Sequence, residues 1–196
     1  MQTLPTGVHP ARVSLAQVDF GFNQESAAGT MTRIDRPGNR WEAEVEFPPQ
    51  PADTARQLVH RVVRGKSDGL RVAVPLMGLS QGSPGTPLVD GAASAGRSLN
   101  IKGLTVGYQI KEGYWLNLID AAGVRYLHQV AEDGTVGGTG KITVTVDPPL
   151  RYATADGQTV VLDAPVIEGL ITSVNGWTTS PAAIVEVKTC TIREAA

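Results

Sequence analysis

Residues 98–151, SLNIKGLTVGYQIKEGYWLNLIDAAGVRYLHQVAEDGTVGGTGKITVTVDPPLR, constrain the chain more than any other stretch. Short alternating runs follow one another here, each bounded by glycine or a turn. Tyr114, Leu116 and Leu118 stand against Trp115, Asn117 and Ile119. Val124 to Val130 follows, and then Ile142, Val144 and Val146 stand against Lys141, Thr143 and Thr145. Period-two runs rich in β-branched and aromatic residues, punctuated by Gly, read as antiparallel strands. The totals agree: 22 glycines and 13 prolines lie between the strand-like runs, so they mark turns and not a disordered tract. The expectation is a mainly β fold, built from antiparallel β-sandwich or barrel units with one amphipathic helix.

That helix is the only clear 3.6 pattern. Ala55, Leu58, Val59, Val62 and Val63 recur at helical spacing and predict a helix over about 52–64. Thr54 and Gln57 have capping-box spacing, Asp53 adds an acid at the start, and Gly65 is placed to end the helix in a left-handed turn. Before it, Val13, Leu15, Val18, Phe20 and Phe22 suggest one strand with a bulge near Gln17, and 23–30 a polar turn. Residues 31–35 and 40–47 then predict a hairpin through the turn 36–39. In its second strand Trp41, Ala43, Val45 and Phe47 share one face, and Arg40, Glu42, Glu44 and Glu46 the other. Trp41 is expected in the core, facing the helix through Leu58 or Val62. Leu70, Val72 and Val74 give a further strand. Beyond the central block, strands are expected at 159–162, 166–174 and 184–192.

Two segments lack periodicity: an N-terminal arm, 1–11, and a Gly/Ser/Pro/Ala-rich loop, 76–97. A loop of that length is either a connector or a functional bridge. The chain is expected to be a single structural unit over 1–196, with 12–75 and 98–196 as possible sub-units joined by that loop.

No catalytic, cofactor-binding or metal-binding residue is predicted. His9, His60 and His128 are scattered, with no partner at metal or triad spacing, and His60 falls on the polar side of the helix stripe. The run Gly134, Gly137, Gly138, Gly140 leads into a strand where a phosphate-cradling loop needs a helix, so it reads as a hairpin loop. Cys190 is alone, which excludes an intrachain disulfide. Net charge is −2 and the acids and bases are mixed, without the basic stripe that nucleic acid requires. No apolar stretch is long enough to span a membrane, and no secretory signal is read at the N-terminus, so folding in a reducing cytoplasm is expected.

The order of features carries one resemblance. A tryptophan-led strand ends in a Pro-Pro stop (RWEAEVEFPP). A helix and a proline-closed strand follow (ADTARQLVHRVVRGKSDGLRVAVP), and then LTVGYQIKEGYWLNLID, GVRYLHQV and GKITVTVDPPLR, with an echo at the C-terminal TIREA. Over residues 30–151 this resembles small structural proteins of tailed bacteriophages, similar to distal tail proteins near the tail tip. The resemblance implies a non-enzymatic virion part assembled in the host cytoplasm. Its partners would be further copies in a ring, commonly a hexamer, and neighbouring tail proteins such as the tail tube and hub. It makes 1–11 and 76–97 the candidates for exchange between subunits. The alternatives are a carbohydrate-binding β-sandwich, with Trp41, Trp115 and Trp177 as a stacking platform, and a cell-wall hydrolase using two carboxylates.

Overall fold

A computed structural model describes residues 1–34, 36, 38–92 and 96–194. The fold is mainly β with one long helix, as the patterning requires. The first strands are β1 (Gln2–Thr3), β2 (Arg12–Val18), β3 (Phe22–Glu25), β4 (Met31–Ile34), β5 (Arg40–Glu46) and β6 (Gln50–Pro51). Helix α1 (Ala52–Asp68) leads to β7 (Leu70–Ala73), β8 (Gly85–Val89), β9 (Ser98–Leu104), β10 (Gln109–Ile110), β11 (Trp115–Ile119) and β12 (Arg125–Val130). The remainder are β13 (Gly134–Thr135), β14 (Ile142–Asp147), β15 (Val160–Val161), β16 (Val166–Val174), β17 (Trp177–Thr179), β18 (Ile184–Val187) and β19 (Cys190–Glu194).

Two six-stranded sheets organise these elements. One runs β15-β11-β12-β14-β9-β8, and a bridge between Leu88 and Thr159 brings its two edges together into a nearly closed barrel. Its core holds Leu99, Ile101, Leu116, Leu118, Val144 and Val146 among others, the inward members of the alternating runs. The other sheet runs β1-β7-β16-β19-β5-β2. Its core gathers Ala43, Val45 and Phe47 with Leu58 and Val62 of α1 and with Ile167, Ile171 and Ile192. Strands β16 and β19 therefore belong to the same sheet as residues 12–18, 40–46 and 70–73, and not to the 98–162 block, while β17 and β18 form a small sheet with β6. The division at 76–97 into 12–75 and 98–196 does not follow the sheets, because Ile167 pairs with Val72 and Ile192 with Ala43. The chain makes the barrel as an insertion between strands of the first sheet.

Other expectations are corrected by pairing. Part of the 76–97 loop is strand β8, with Val89 fully buried. In the 1–11 arm, β1 lies parallel to β7, and Pro5 and Val8 are buried. The 31–35/40–47 hairpin does not form in the described residues (35 and 37 lie outside them). Instead β2 pairs with β5 from Arg12↔Glu46 to Val18↔Arg40, and β3 pairs with β4 from Phe22↔Ile34 to Glu25↔Met31. The two pairings form one long ribbon whose turn is at 26–30, where Gly29 N–H donates to Ser26 O and Ser26 N–H to Thr30 O, both at 2.9 Å. Where the two pairings meet, buried Asn39 turns its Oδ1 to accept from Phe20 N–H at 2.7 Å. The expected 184–192 strand is likewise split into β18 and β19. With β16 and β17 they make a second ribbon, Val174↔Cys190 continuing as Trp177↔Val187.

Helix α1 runs longer than 52–64. It starts directly after Pro51, with no side-chain cap, so Thr54 and Gln57 lie inside the helix and not at a capping box. Gly65 does not end it. A Cβ there would lie 2.6 Å from Ile171 Cδ1, so this glycine lets the helix approach the sheet, and Gly69 (φ 77) supplies the positive-φ turn instead.

Gly169 in β16 is tighter still, since a Cβ would lie 2.0 Å from the Arg193 carbonyl oxygen across the ladder. Gly169→Ala should lose about 3 kcal/mol or more, or fail to fold, because neither backbone can move without breaking the sheet. Gly137→Ala, where a Cβ meets nothing within 4 Å, should stay within about 0.5 kcal/mol. Urea titration of the two variants makes the comparison.

Candidate functional site

The barrel and the first sheet meet along a seam of buried polar side chains, and the central one sits where two strands run out of partners. Strand β14 pairs with β12 only at Gln129↔Asp147 and Val130↔Val146, so Leu127 N–H has no strand acceptor. Strand β19 pairs with β5 as far as Arg193↔Glu42, and Trp41 N–H is left in the same position. Glu194, 2% exposed, fills both gaps: Oε1 accepts from Leu127 N–H at 2.6 Å and Oε2 from Trp41 N–H at 2.8 Å. Arg151, itself largely buried, ion-pairs with Oε2. Burial pushes the Glu194 carboxyl up from its ordinary value, against the pull of Arg151 and the two N–H groups.

Asn117, also fully buried, works the same way. Its Nδ2 donates to Val166 O at 2.8 Å and its Oδ1 accepts from Val166 N–H at 2.7 Å, which fastens the barrel to the start of β16. Gln81 accepts from Trp115 N–H at 2.7 Å while its Nε2 donates to Trp115 O at 2.7 Å and to Leu162 O. Arg71 Nε donates to buried Glu168 at 2.7 Å across β7 and β16. The seam binds the halves of this chain to each other.

The three histidines stay apart. His9 and His60 are exposed, and His128 is 1% exposed, with Nδ1–H donating to Pro148 O at 2.8 Å. Burial pushes its imidazole down to about 4 and pushes the Cys190 thiol up to about 12. A buried thiol held so high offers no thiolate nucleophile near neutral pH. Among the described residues, no group of three or more His, Cys, Asp or Glu side chains is placed to hold a metal ion. No helix of the described residues is long and apolar enough to cross a membrane. The glycine run 134–140 is a loop leading into β14.

The tryptophans do not form a platform. Trp115 is buried and Trp41 half-buried, and they meet edge to face with centroids 4.8 Å apart. Trp41 packs at the margin of the core that holds Leu58 and Val62, and its close aromatic partner is Trp115 of the barrel. Trp177, 48% exposed, lies on the second ribbon.

What the molecule does offer is apolar surface on projecting backbone. Every residue of β3 and β4 is exposed. Phe22 and Ile34 sit opposite one another, and Met31 is 65% exposed near the turn. Arg36 and Arg40 cover the Phe22 and Phe20 rings, each 5.1 Å from the centroid. On the second ribbon Trp177 and Ile184 are exposed. A third patch surrounds Met77 and Leu79, 86% and 69% exposed, beside a recess of about 280 Å³ lined by Leu76, Tyr114 and Trp115. Sequence reasoning missed the ribbons, because the offset between the pairings of β2 with β5 and β3 with β4 leaves no trace in alternation. It missed Glu194 because a lone Glu in TIREA carries no pattern. No protein-family model matches the chain, and no curated protein matches it.

Two outcomes follow from the seam. Glu194→Gln should cost about 3–5 kcal/mol, since it leaves Arg151 buried without its anion and turns an amide donor toward a backbone N–H; Glu44→Gln, on the exposed face, should cost under about 0.5 kcal/mol in the same urea titration. For His128 the folded state binds its proton less readily than the unfolded chain, whose histidine titrates near 6.5. The stability it confers is complete above that value and is lost as pH falls toward 4. Between pH 8 and pH 5 the protein should lose about 2 kcal/mol more than His128→Gln loses.

Proposed function

We propose that this chain is a structural component of a bacteriophage tail, a subunit of a distal tail or tail-tip ring, with no turnover of its own. The observation that carries the reading is the pair of β-ribbons, 12–46 and 166–194. Each begins in the first sheet and runs on beyond it: the first exposes Phe20, Phe22 and Ile34, and the second exposes Trp177 and Ile184 while its β18 pairs with β6 and buries Val185 and Val187. A ribbon end such as β3 with β4, exposed at every residue, gains little by folding on its own body and much by lying against a neighbour. The polar seam supplies the complement, a rigid body that holds the ribbons in fixed directions.

The order of strands resembling distal tail proteins supports the same assignment. The partners are other copies in a ring, commonly six, together with the tail tube and hub. A ring closes when two different patches on one subunit meet around a rotation axis. The ribbons and the Met77–Leu79 patch lie on different elements, as such a contact requires. Within the 1–11 arm and the 76–97 loop, β1 and β8 pass out of the bridging role because they are paired within their own chain, and Met77 and Leu79 are what the loop still presents.

Replacing residues 23–33 by a short Gly-Ser link tests the assignment. The isolated protein should keep its thermal midpoint, because the excised residues are exposed, while particles carrying the variant lose the ring and their infectivity. Antibody raised against the purified chain should decorate the tail end of intact particles in electron micrographs. Particles that lack the protein altogether would end the tail reading.

A further inference from the structure

The two large sheets end differently. The barrel's outer strands are joined: Leu88 bridges Thr159, and Val89 N–H donates to Gln158 O at 2.8 Å. The first sheet has two free sides. One is β1, two residues long. The other is β2, seven residues long, whose sole strand partner among the described residues is β5.

Open edges of this length are ordinarily blunted by lysine, proline, a bulge or a covering loop. Strand β2 reads RVSLAQV, with no proline or lysine, and its register with β5 is continuous from Arg12 to Val18. Its one charge, Arg12, is at the end. Val13 and Leu15, on the inner face opposite Val45 and Ala43, are only half-buried at the margin of the core. The core is therefore unfinished along this edge, and the backbone there presents a row of groups that an extended strand would satisfy.

We propose that two copies of this chain pair through β2, antiparallel and centred on Leu15, so that two six-stranded sheets become one. The sequence is complementary to itself in this register. Leu15 meets Leu15, Val13 meets Gln17 and Ser14 meets Ala16, each pair sharing a face, while Arg12 falls opposite Val18. The two Arg12 side chains end about 20 Å apart along the strands, well beyond the roughly 8 Å over which salt leaves charges in contact. The parallel arrangement would set Arg12 beside Arg12. The exposed row Glu42, Glu44, Glu46 does not oppose the contact either, because the two β5 strands come to lie three strand spacings, about 14 Å, apart. This contact is isologous and independent of the ring reading, which needs two unlike patches.

Sedimentation equilibrium of the full chain up to about 0.1 mM, a concentration at which even a weak micromolar contact is populated, should show a dimer. Ser14→Arg with Ala16→Arg sets arginine opposite arginine twice, on exposed or half-exposed positions, and should return the protein to monomer with its thermal midpoint kept. Under oxidised glutathione, Leu15→Cys should give a disulfide-linked dimer, because residue 15 meets itself across the axis. Gln17→Cys should not, since its two copies stand about 13 Å apart, beyond the reach of a disulfide. A chain that is monomeric throughout this range would overturn the proposal. So would a dimer that Gln17→Cys locks and Leu15→Cys does not.

Discussion

One carboxylate sits where the two halves of this protein would otherwise come apart. Glu194 takes the place of a strand twice, accepting from an amide of β5 and an amide of β12 where each ladder has ended. A buried anion in that position is costly unless it is fully partnered, and Arg151 with the two N–H groups partners it. The aromatic contact between Trp41 and Trp115 lies alongside, so a single locus joins the sheets by charge, hydrogen bonds and packing together. Asn117 repeats the device with a neutral amide that joins β11 to the start of β16. Such directional contacts fix how the barrel is set against the sheet, which apolar packing alone leaves loosely determined.

A fixed junction gives the ribbons their meaning. A ribbon projecting from a swivelling body would sample many directions, and ordering it on a neighbour would cost conformational entropy. Here both ribbons start from strands of the sheet that Glu194 anchors, β2 with β5 and β16 with β19. The same logic separates the two ends of the molecule. The barrel has joined its own edges, whereas the first sheet ends in an open strand.

Local patterning made the β class, the helix and the buried face of β5 legible. Ala43, Val45 and Phe47 are buried while Glu44 and Glu46 are exposed, as alternation requires. What alternation does not encode is partnership. Residues 31–34 are a strand in either arrangement, and the Asn39 side chain that holds Phe20 N–H where the two pairings meet has no signature in alternation. Proline and glycine in 76–97 concealed β8, whose Pro87 and Val89 are buried. The helix ran past Gly65 because that glycine answers to the Ile171 side chain and not to a cap. The seam was not legible, since Glu194, Asn117 and Gln81 become a site only after strands distant in sequence come together.

The pairing of β19 with β5 has a consequence for the order in which the protein can be made. The barrel's strands come from one continuous stretch, 85–161, and can close as soon as the ribosome has released them. Glu42, by contrast, waits for Arg193, 151 residues later. At about 5–20 residues per second, that is a delay on the order of ten to thirty seconds. During it β5 has only β2 beside it, and the apolar faces of β5, β7 and α1 lack the β16 and β19 strands that complete their core. The nascent chain is thus a finished barrel carrying an unfinished sheet, and its most vulnerable interval falls just before the last strand emerges.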